Sequence, residues 1–544
     1  MVASPMPRGG TWIFLVLLLL VSACVDQAWG FVTSNGSISR RGYHHSSPNA
    51  QLMSRQNSDG TTPCSTSNPC EVGCCGNGGN PNNAYICGTG GDFCGSSCIN
   101  NCDYKAECNP GGWDRQYVAK EKCPLNVCCS PFGFCGTTRG FCGDAQVPQP
   151  SCGANSGTTR KRRIAYYEGW STGRSCDLML PTQIPIGFYT HINVAFASIN
   201  PNTFRVEPMD GVPNQVTQQI ARLKSADPQL RVFLSIGGWS FNDPGPTRLT
   251  FSQLAGSSSA RETFADSIIS FMYYYNLDGV DIDWEYPGAD DRGGVPADYV
   301  NFVTWMVQLR SRLNRSGRKF ELTITVPSSY WYLQHFDLQG LARSLDWINV
   351  MTYDLHGTWD GNSPWIGAVA LAHTNLTEIK MTFDLFWRNN IDPDQLVFGL
   401  GFYGRSFTMS NPNCMAAGCP FTRGADAGPC TLNQGTLSAA EVRRIIAQGN
   451  AKVFLDQESA VEIVTWGTDQ WISYDDLPTF EMKIRYANSR CIGGVMVWAV
   501  DLDDITYTST NELARALGMK PIAKGLKVGD HQLPLQDTGI HLVG

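Results

Sequence analysis

The sequence is poor in charged residues and in histidine. Asp, Glu, Lys and Arg make up 16% of its 544 residues, the formal net charge is −7, and there are 8 histidines. A chain without an excess of Lys and Arg has no basic field that would attract nucleic acid. No cluster of histidines suggests a metal site, and we predict neither a metal nor a cofactor.

Long apolar runs are also rare. Trp12–Val21 contains four consecutive leucines, follows Arg8 and precedes small residues up to Gly30. The run is shorter than the ~20 residues of a membrane-spanning helix, and its setting predicts a secretory signal peptide at 1–30, with a signal anchor as the alternative. No later segment is apolar enough to span a membrane, and 520–544 is a polar tail. We therefore expect a secreted protein, extracellular or associated with the cell wall.

Cysteine, by contrast, is abundant. Of 21 cysteines, Cys24 would leave with the signal peptide, and the remaining even number is typical of a disulfide-bonded secreted chain. After a lead-in at 31–63 that we predict to be disordered, 15 cysteines lie in 64–152 and five lie further on. Because both counts are odd, either one disulfide joins the two parts or each part keeps a free thiol. The 64–152 region is too small to fold without disulfides.

The best-formed part of this region is 123–143. Cys128-Cys129 is followed by Ser-Pro-Phe-Gly-Phe-Cys-Gly and then by Phe141-Cys142-Gly143. This pattern closely resembles the hevein-like chitin-binding module. The resemblance implies a platform on which sugar rings stack, formed by Ser130, Phe132, Phe134 and Phe141. The alternative is a disulfide knot with incidentally exposed Phe. An earlier copy, Cys64–Cys98, has an Asn/Gly-rich insertion in place of the paired aromatics, and we expect it to be structural or weakly sugar-binding.

After a linker at 153–162, residues 163–519 alternate short apolar runs with helical patterns. The basic run Arg160–Arg163 is either a processing site or a solvated domain edge. Eight strands separated by helices predict an α/β fold, a (β/α)8 TIM barrel. The predicted strands are Ile164–Glu168, His191–Ala197, Arg231–Ile236, Gly279–Asp283, Glu321–Val326, Trp347–Thr352, Leu396–Phe402 and Gly494–Val500. The gap before the last strand is too long for one helix, so we predict an inserted α+β subdomain at 405–474.

One barrel strand carries three carboxyl groups on one face. Asp281, Asp283 and Glu285 are spaced two apart, and the residues between them are Val, Ile and Trp. Alternation puts the carboxyls on one face of the strand and the apolar side chains on the other. Their mutual repulsion favours proton sharing, with one group protonated near neutral pH, as a general acid requires. An acidic surface strand or a metal-binding loop is the alternative.

Asp278–Glu285 matches the Asp-Gly-x-Asp-x-Asp-x-Glu signature, and the chain resembles the family 18 glycoside hydrolases, the chitinases. In that family the substrate's own N-acetyl group is the nucleophile. The resemblance implies that Glu285 is the acid, that Asp283 holds and polarises the acetamido group, that Asp281 shares a proton with Asp283, and that Tyr353 hydrogen-bonds the acetamido oxygen.

Further motifs of the family fall at the predicted strand ends, where barrel chemistry occurs. Taken singly, each is more typical of packing than of catalysis, and their joint placement favours a site. The resemblance implies that Asp354 binds sugar at the cleavage point and that Trp498 forms an apolar floor. It also implies that Trp239 and Tyr286 form flanking subsites and that Arg405 adds a polar contact. Further substrate contacts are expected from Tyr166, Phe196 and Met351.

The predicted function is a secreted chitinase that binds chitin and chito-oligosaccharides. Hevein-like modules ahead of a barrel that opens with Arg-Arg-Ile-Ala-Tyr-Tyr-Glu-Gly-Trp resemble the fungal killer-toxin-type chitinases. A non-catalytic chitin-binding lectin, a toxin subunit that docks on chitin and delivers a secreted partner protein, and a hydrolase of N-glycan cores are the alternatives.

Overall fold

The computed structural model describes residues 62–209, 211–364 and 366–522, all within one compact unit. The predicted signal peptide at 1–30, all but the end of the lead-in at 31–63 and most of the tail at 520–544 lie outside the described residues. None of the described helices is long and apolar enough to cross a membrane.

Two copies of one small motif precede the barrel. Each has a two-stranded antiparallel ribbon and a four-residue helix, namely β1 (Cys74–Gly76), β2 (Ile86–Gly88) and α1 (Gly91–Cys94), then β3 (Cys128–Cys129), β4 (Cys135–Gly136) and α2 (Arg139–Cys142). In both copies a Phe ring lies against the last Gly of the ribbon. A Cβ on Gly88 would lie 2.4 Å from the Phe93 ring, and one on Gly136 would lie 2.5 Å from the Phe141 ring. The two glycines are therefore required by close packing.

The disulfides of the two copies follow the same order. Each copy has six cysteines, and they are bonded first to fourth, second to fifth and third to sixth. The disulfides are Cys64–Cys75, Cys70–Cys87 and Cys74–Cys94 in the first copy and Cys108–Cys129, Cys123–Cys135 and Cys128–Cys142 in the second. The second copy therefore begins at Cys108, ahead of the 123–143 stretch that stands out in the sequence. Cys98–Cys102 closes a short loop between the copies.

Eight parallel strands form a closed barrel, which confirms the predicted fold. They are β5 (Arg162–Glu168), β6 (His191–Ile199), β8 (Arg231–Gly237), β9 (Gly279–Asp283), β10 (Glu321–Pro327), β11 (Trp347–Met351), β12 (Leu396–Gly401) and β19 (Gly494–Trp498). A further strand, β7 (Val206–Pro208), pairs antiparallel with β6. His191, Phe233 and Trp347 pack together near the strand starts, with ring centroids 4.8–5.4 Å apart. This packing fills the amino-terminal end of the barrel.

Helices surround the strands and pack their apolar faces on them. They are α3 (Asn214–Arg222), α4 (Thr250–Gly256), α5 (Ser258–Tyr274), α6 (Asp298–Asn314), α7 (Tyr330–Leu333), α8 (Leu338–Ala342), α9 (Leu376–Arg388), α11 (Leu477–Ser489) and α12 (Thr508–Ala516). Side-chain caps fix several starts: Ser257 accepts from the backbone N–H of Ala260 ahead of α5, and Asn375 from that of Thr377 ahead of α9.

The segment between β12 and β19 is an α+β subdomain, as predicted. It contains β13 (Tyr403–Met409), β14 (Phe421–Gly424), β15 (Thr436–Ser438), α10 (Ala439–Ala447), β16 (Lys452–Asp456), β17 (Val461–Trp466) and β18 (Gln470–Tyr474). Its strands form a six-stranded sheet around a small core of its own that includes Phe407 and Trp471. The disulfide Cys176–Cys430 ties it to the loop after β5.

The second motif copy is docked on the barrel. The disulfide Cys152–Cys491 spans 339 residues and joins the two halves, which decides between the alternatives left by the odd cysteine counts. Leu125 is buried with the barrel core, and its carbonyl accepts from Asn389 Nδ2 at 3.0 Å, just after α9. Asn126 Nδ2 donates to Asn389 Oδ1 at 3.1 Å. The module is therefore held against α9.

Candidate active site

The acidic strand is arranged as its alternation predicts. Asp281 and Asp283 lie on β9, Glu285 follows it, and all three are buried. On the opposite face, the Trp284 ring packs against Phe251 and Phe302, with centroids 5.3 and 5.1 Å away. This apolar anchor fixes the strand, and the carboxyls consequently face the barrel interior.

Asp281 lies at the bottom of the set and accepts five hydrogen bonds. The donors are Tyr166, Ser235, Thr323, Thr325 and Asn349, at 2.6–3.1 Å. These donors hold both carboxylate oxygens of Asp281 in place. The described residues show no hydrogen bond between Asp281 and Asp283, and the sharing of a proton between them stays a prediction.

Asp283 and Glu285 lie above it with raised pKa values. Burial, then the neighbouring Glu285 and Asp281 charges, raise the pKa of Asp283 well above its usual range. Oδ1 of Asp283 is buried without a hydrogen-bond partner among the described residues. Burial raises the pKa of Glu285 to about 7, although Tyr286 and Arg292 act in the opposite direction. Asp283 and Glu285 can therefore hold protons near neutral pH.

Arg292 supports one side of the site, and the sequence reasoning missed it. Its Nε donates to the Glu285 carbonyl at 3.1 Å, and its Nη1 pairs with Asp243 at 2.8 Å. Its guanidinium carbon lies 3.7 Å from the Trp239 ring centroid, while 48% of Trp239 remains exposed. Arg292 therefore fixes one face of Trp239 and leaves the rest of the ring open to a ligand.

The opposite side is built from the end of β11 and the start of β13. Tyr353 is buried, and burial raises its pKa well above the usual range, which keeps its hydroxyl a donor. Burial alone would raise the pKa of Asp354, but Arg405 holds it below its usual range. Tyr403 also donates to Asp354, at 2.7 Å. Met351 lies beside them and is partly buried.

Aromatic rings form the floor. Phe196 stacks on Trp498 with centroids 5.5 Å apart, and Trp170, which we did not predict, stacks on Phe196 at 6.1 Å. Trp170 ends the Glu-Gly-Trp segment that follows β5. Its position at the end of a barrel strand was the sequence signal that could have placed it in the site. A Cβ on Gly238 would lie 2.4 Å from the Phe196 ring, which explains the Gly-Gly pair before Trp239.

Tyr166 lies beneath the aromatic floor. We expected it to contact substrate, but it is 1% exposed and does not border the cavity. Its hydroxyl donates to Asp281 at 2.8 Å, and its ring lies 5.5 Å from that of Trp498. Because its strand position points into the barrel below the floor, Tyr166 supports Asp281 and Trp498 from beneath.

These side chains surround one cleft of about 670 Å³. It contains the predicted residues Asp283, Glu285, Tyr286, Trp239, Phe196, Met351, Tyr353, Asp354, Arg405 and Trp498. It also contains residues that the sequence reasoning missed, among them Trp170, Trp359, Glu378 and Tyr403. An apolar cleft with a few convergent polar groups and raised carboxyl pKa values is typical of a catalytic site.

The four residues of the predicted sugar platform in the second module differ in their exposure to solvent. Phe132 is 47% exposed, whereas Ser130 and Phe134 are buried and hydrogen-bonded to each other through Ser130 Oγ and the Phe134 N–H. Phe141 is 9% exposed and borders the catalytic cleft. The cysteine clusters with metal-like spacing, such as Cys64, Cys70 and Cys75, are engaged in disulfides.

Comparison with known proteins agrees with this geometry. Residues 162–503 match the family described as Glycosyl hydrolases family 18, and residues 114–156 match the family described as Chitin recognition protein. The secreted chitinase LysM12 of Penicillium expansum is 32% identical over 70% of this chain and 27% of its own length. The killer toxin subunits alpha/beta of Kluyveromyces lactis are 34% identical over 62% of this chain and 29% of theirs.

This chain thus spans less than a third of the length of these fungal relatives. Among solved structures, catalytic domain 2 of the Ostrinia furnacalis Group II chitinase superposes with a TM-score of 0.59 at 28% identity. The match covers 68% of this chain and 99% of that one. Residues 162–503, which match the family 18 description, contain every barrel strand and the three carboxyls of the acidic strand. The chain belongs to glycosyl hydrolase family 18 and carries a chitin recognition module ahead of its barrel.

Proposed function

We propose that this protein is a secreted chitinase that hydrolyses β-1,4-linked N-acetylglucosamine polymers with retention of configuration. The observation that carries the proposal is Glu285, a buried carboxyl at the cleft whose pKa is about 7. Such a group is protonated for a useful fraction of the time near neutral pH and can give its proton to the leaving oxygen. Glu285 is the proposed general acid, and it later acts as the base that activates water.

The nucleophile in this proposal is the acetamido oxygen of the substrate. Retaining enzymes of the ordinary kind use a second carboxylate, and family 18 is an exception in which the substrate assists. Asp283 would orient and polarise the acetamido group, for which its unpartnered Oδ1 is suited. The Tyr353 hydroxyl would donate to the acetamido oxygen. The mechanism therefore requires a 2-acetamido sugar.

The charges of the site support this division of roles. Five donors fix the orientation of the Asp281 carboxyl, while burial and neighbouring negative charges favour a protonated Asp283. Positive charge develops on the acetamido group as its oxygen attacks, and Asp283 stabilises that charge as a carboxylate once its proton has passed to Asp281. Because no hydrogen bond joins the two aspartates, sharing this proton would require rotation of the Asp283 side chain.

Binding beyond the reacting sugar would use the aromatic floor and the polar wall. Trp498, Phe196 and Trp170 offer apolar faces on which the C–H faces of sugars stack. Asp354, kept charged by Arg405, accepts from sugar hydroxyls. The exposed face of Trp239 provides a flanking contact.

A toxin subunit that docks on chitin is the second candidate, because the chain resembles the named killer toxin subunits over 62% of its length. In that role hydrolysis would be subsidiary, and a secreted partner protein would be carried. A lectin role is disfavoured because Glu285, Asp283 and Tyr353 all border one cleft.

The test is a timed product analysis on chitohexaose with wild type and Glu285→Gln. We expect β-anomeric products from wild type and none from the variant. If neither protein cleaves chitohexaose while both still bind chitin, the enzyme proposal is wrong and the docking role replaces it.

A further inference from the structure

The second motif copy precedes the barrel in the sequence and also borders the catalytic cleft. Cys135–Thr138 and Phe141 line the same cavity as Glu285 and Trp498. On the barrel side they adjoin the segment after β10 and helix α9, which contribute Ser329, Tyr330, Met381 and Leu385. The cleft wall at this place is therefore composite, with one part from the module and one part from the barrel.

The composite wall is held in place on both sides of the module. Asn389 bonds to Leu125 and Asn126 at one end of the contact, and the Cys152–Cys491 disulfide closes the other. Between them, Gln149 Nε2 donates to Asp384 Oδ1 of α9 at 3.2 Å. A module on a free linker would sample many positions, whereas these contacts keep its surface beside the cleft.

The chemistry of the module's part of the wall suits a sugar. The Phe141 ring lies flat enough against the backbone of Gly136 to exclude a Cβ there, and Phe141 is one of the four residues that the hevein-like pattern assigns to sugar stacking. Next to it, Thr138 Oγ1 is buried without a hydrogen-bond partner among the described residues. An aromatic ring beside hydroxyl groups is the usual composition of a carbohydrate contact.

We propose that Phe141, with Thr137 and Thr138, forms an additional N-acetylglucosamine subsite of the catalytic cleft. One chitin chain would then contact the module and the hydrolytic centre at the same time. The inference rests on the proposed function of the cleft as a chitin-binding site. This role of the module differs from that of a remote anchor. A remote anchor binds one chitin chain or crystal face while the barrel cleaves another.

The first test compares substrates of different length. Phe141→Ala should lower kcat/KM on chitohexaose roughly three- to tenfold, the usual worth of one aromatic contact. Hydrolysis of a fluorogenic chitobioside, which occupies fewer subsites than chitohexaose, should be unchanged. Phe93→Ala is the matched control, because Phe93 packs on Gly88 in the same way and does not border the cleft.

An equal fall on both substrates, or no fall on either, would overturn the inference. Asn389→Ala gives an independent check, since it removes the bonds to Leu125 and Asn126 without altering the cleft lining. It too should weaken action on chitohexaose more than on the chitobioside.

The second test does not depend on catalysis. In the Glu285→Gln background, calorimetric affinity for chitohexaose should fall about three- to tenfold when Phe141→Ala is added, and affinity for chitobiose should stay the same. If wild type proves inactive, this measurement still decides whether Phe141 belongs to the cleft, so failure of the proposed function and failure of the inference give different results. Unchanged chitohexaose affinity would refute the subsite.

Discussion

Asp354 and Arg405 form a two-pronged ion pair that joins the end of β11 to the insertion subdomain. Arg405 Nε lies 2.7 Å from Asp354 Oδ1, and Nη2 lies 2.5 Å from Oδ2. Arg405 also lies 5.0 Å from the Trp359 ring centroid. A planar guanidinium can make both bonds at once, which a lysine cannot. The pair consequently fixes one wall of the cleft relative to the barrel strands.

Arg405→Lys should therefore weaken the site while keeping its net charge. We expect kcat/KM on chitohexaose to fall roughly tenfold, because the fork is worth about 1–2 kcal/mol. A weaker partner also allows the pKa of Asp354 to rise toward its usual value. The acid limb of the kcat/KM profile should move to higher pH, as a series of initial rates from pH 3 to 9 would reveal.

Arg423→Lys is the control for this change. Arg423 pairs with Asp426 at 2.9 Å on the exposed surface of the insertion, where such pairs contribute little. It should leave both the rate and the acid limb as in wild type. An Arg405→Lys profile identical to that of wild type would contradict the assigned role of the pair.

The alkaline limb of the same profile should report Glu285. The proposed acid must carry its proton, and burial raises the pKa of Glu285 to about 7. Activity measured as kcat/KM should therefore be high below that pH and should decline tenfold per pH unit well above it. A flat profile up to pH 9 would show that Glu285 does not act as the acid in the free enzyme.

Folding stability should depend on the same proton. The pKa of Glu285 is about 7 in the folded chain and 4.5 in its ordinary setting. Between these values the folded state holds a proton that the unfolded state has lost, so this group lowers the free energy of unfolding as pH rises from about 4.5 to about 7. Gln has no such proton. Glu285→Gln should therefore gain stability relative to wild type by about 1–3 kcal/mol between pH 4 and pH 8.

Thermal unfolding at pH 4, 6 and 8 measures this difference. Glu262→Gln, a substitution at an exposed carboxyl on α5, serves as the control and should follow wild type at every pH. A constant offset between Glu285→Gln and wild type at all three pH values would mean that the burial of Glu285 carries no proton linkage.

Much of the barrel could be predicted because each strand carries a local signal. Predicted and observed strands agree within two residues at either end, and Gly279–Asp283 agrees at both. The alternation around Asp281 also placed the carboxyls on the inner face. The depth of Tyr166 could not be predicted, because a residue on an inner strand face can lie either in the cleft or beneath its floor, and only the tertiary structure decides which.

The composite cleft wall could not be predicted, because it depends on contacts between distant parts of the chain. Nothing in the local sequence links Asn389 to Leu125, which are 264 residues apart. Arg292 was missed for a similar reason, since a lone Arg in a loop is typical of a solvated surface. The odd cysteine counts were the one sequence signal of a contact between the halves, and they did not identify its partners.

The Cys152–Cys491 disulfide should contribute strongly to the stability of the docked arrangement. It closes a loop of 339 residues, and chain-entropy arguments give long loops the largest effect. Replacing both cysteines by serine should lower the free energy of unfolding by about 2–5 kcal/mol. The variant should also be cleaved faster by added protease between the module and the barrel, since the module would depend on its polar contacts alone.

Cys98→Ser with Cys102→Ser is the matched comparison, because that disulfide closes a loop of only four residues. Removing that disulfide also replaces two sulfurs, but it returns little conformational entropy to the unfolded chain. Its effect on the free energy of unfolding should therefore be smaller. The decisive readout is protease protection of the 143–159 segment. If losing the long disulfide leaves that protection unchanged, then the contacts of Asn389, Leu125 and Gln149 suffice to hold the module, and the covalent link is not what keeps it on the cleft.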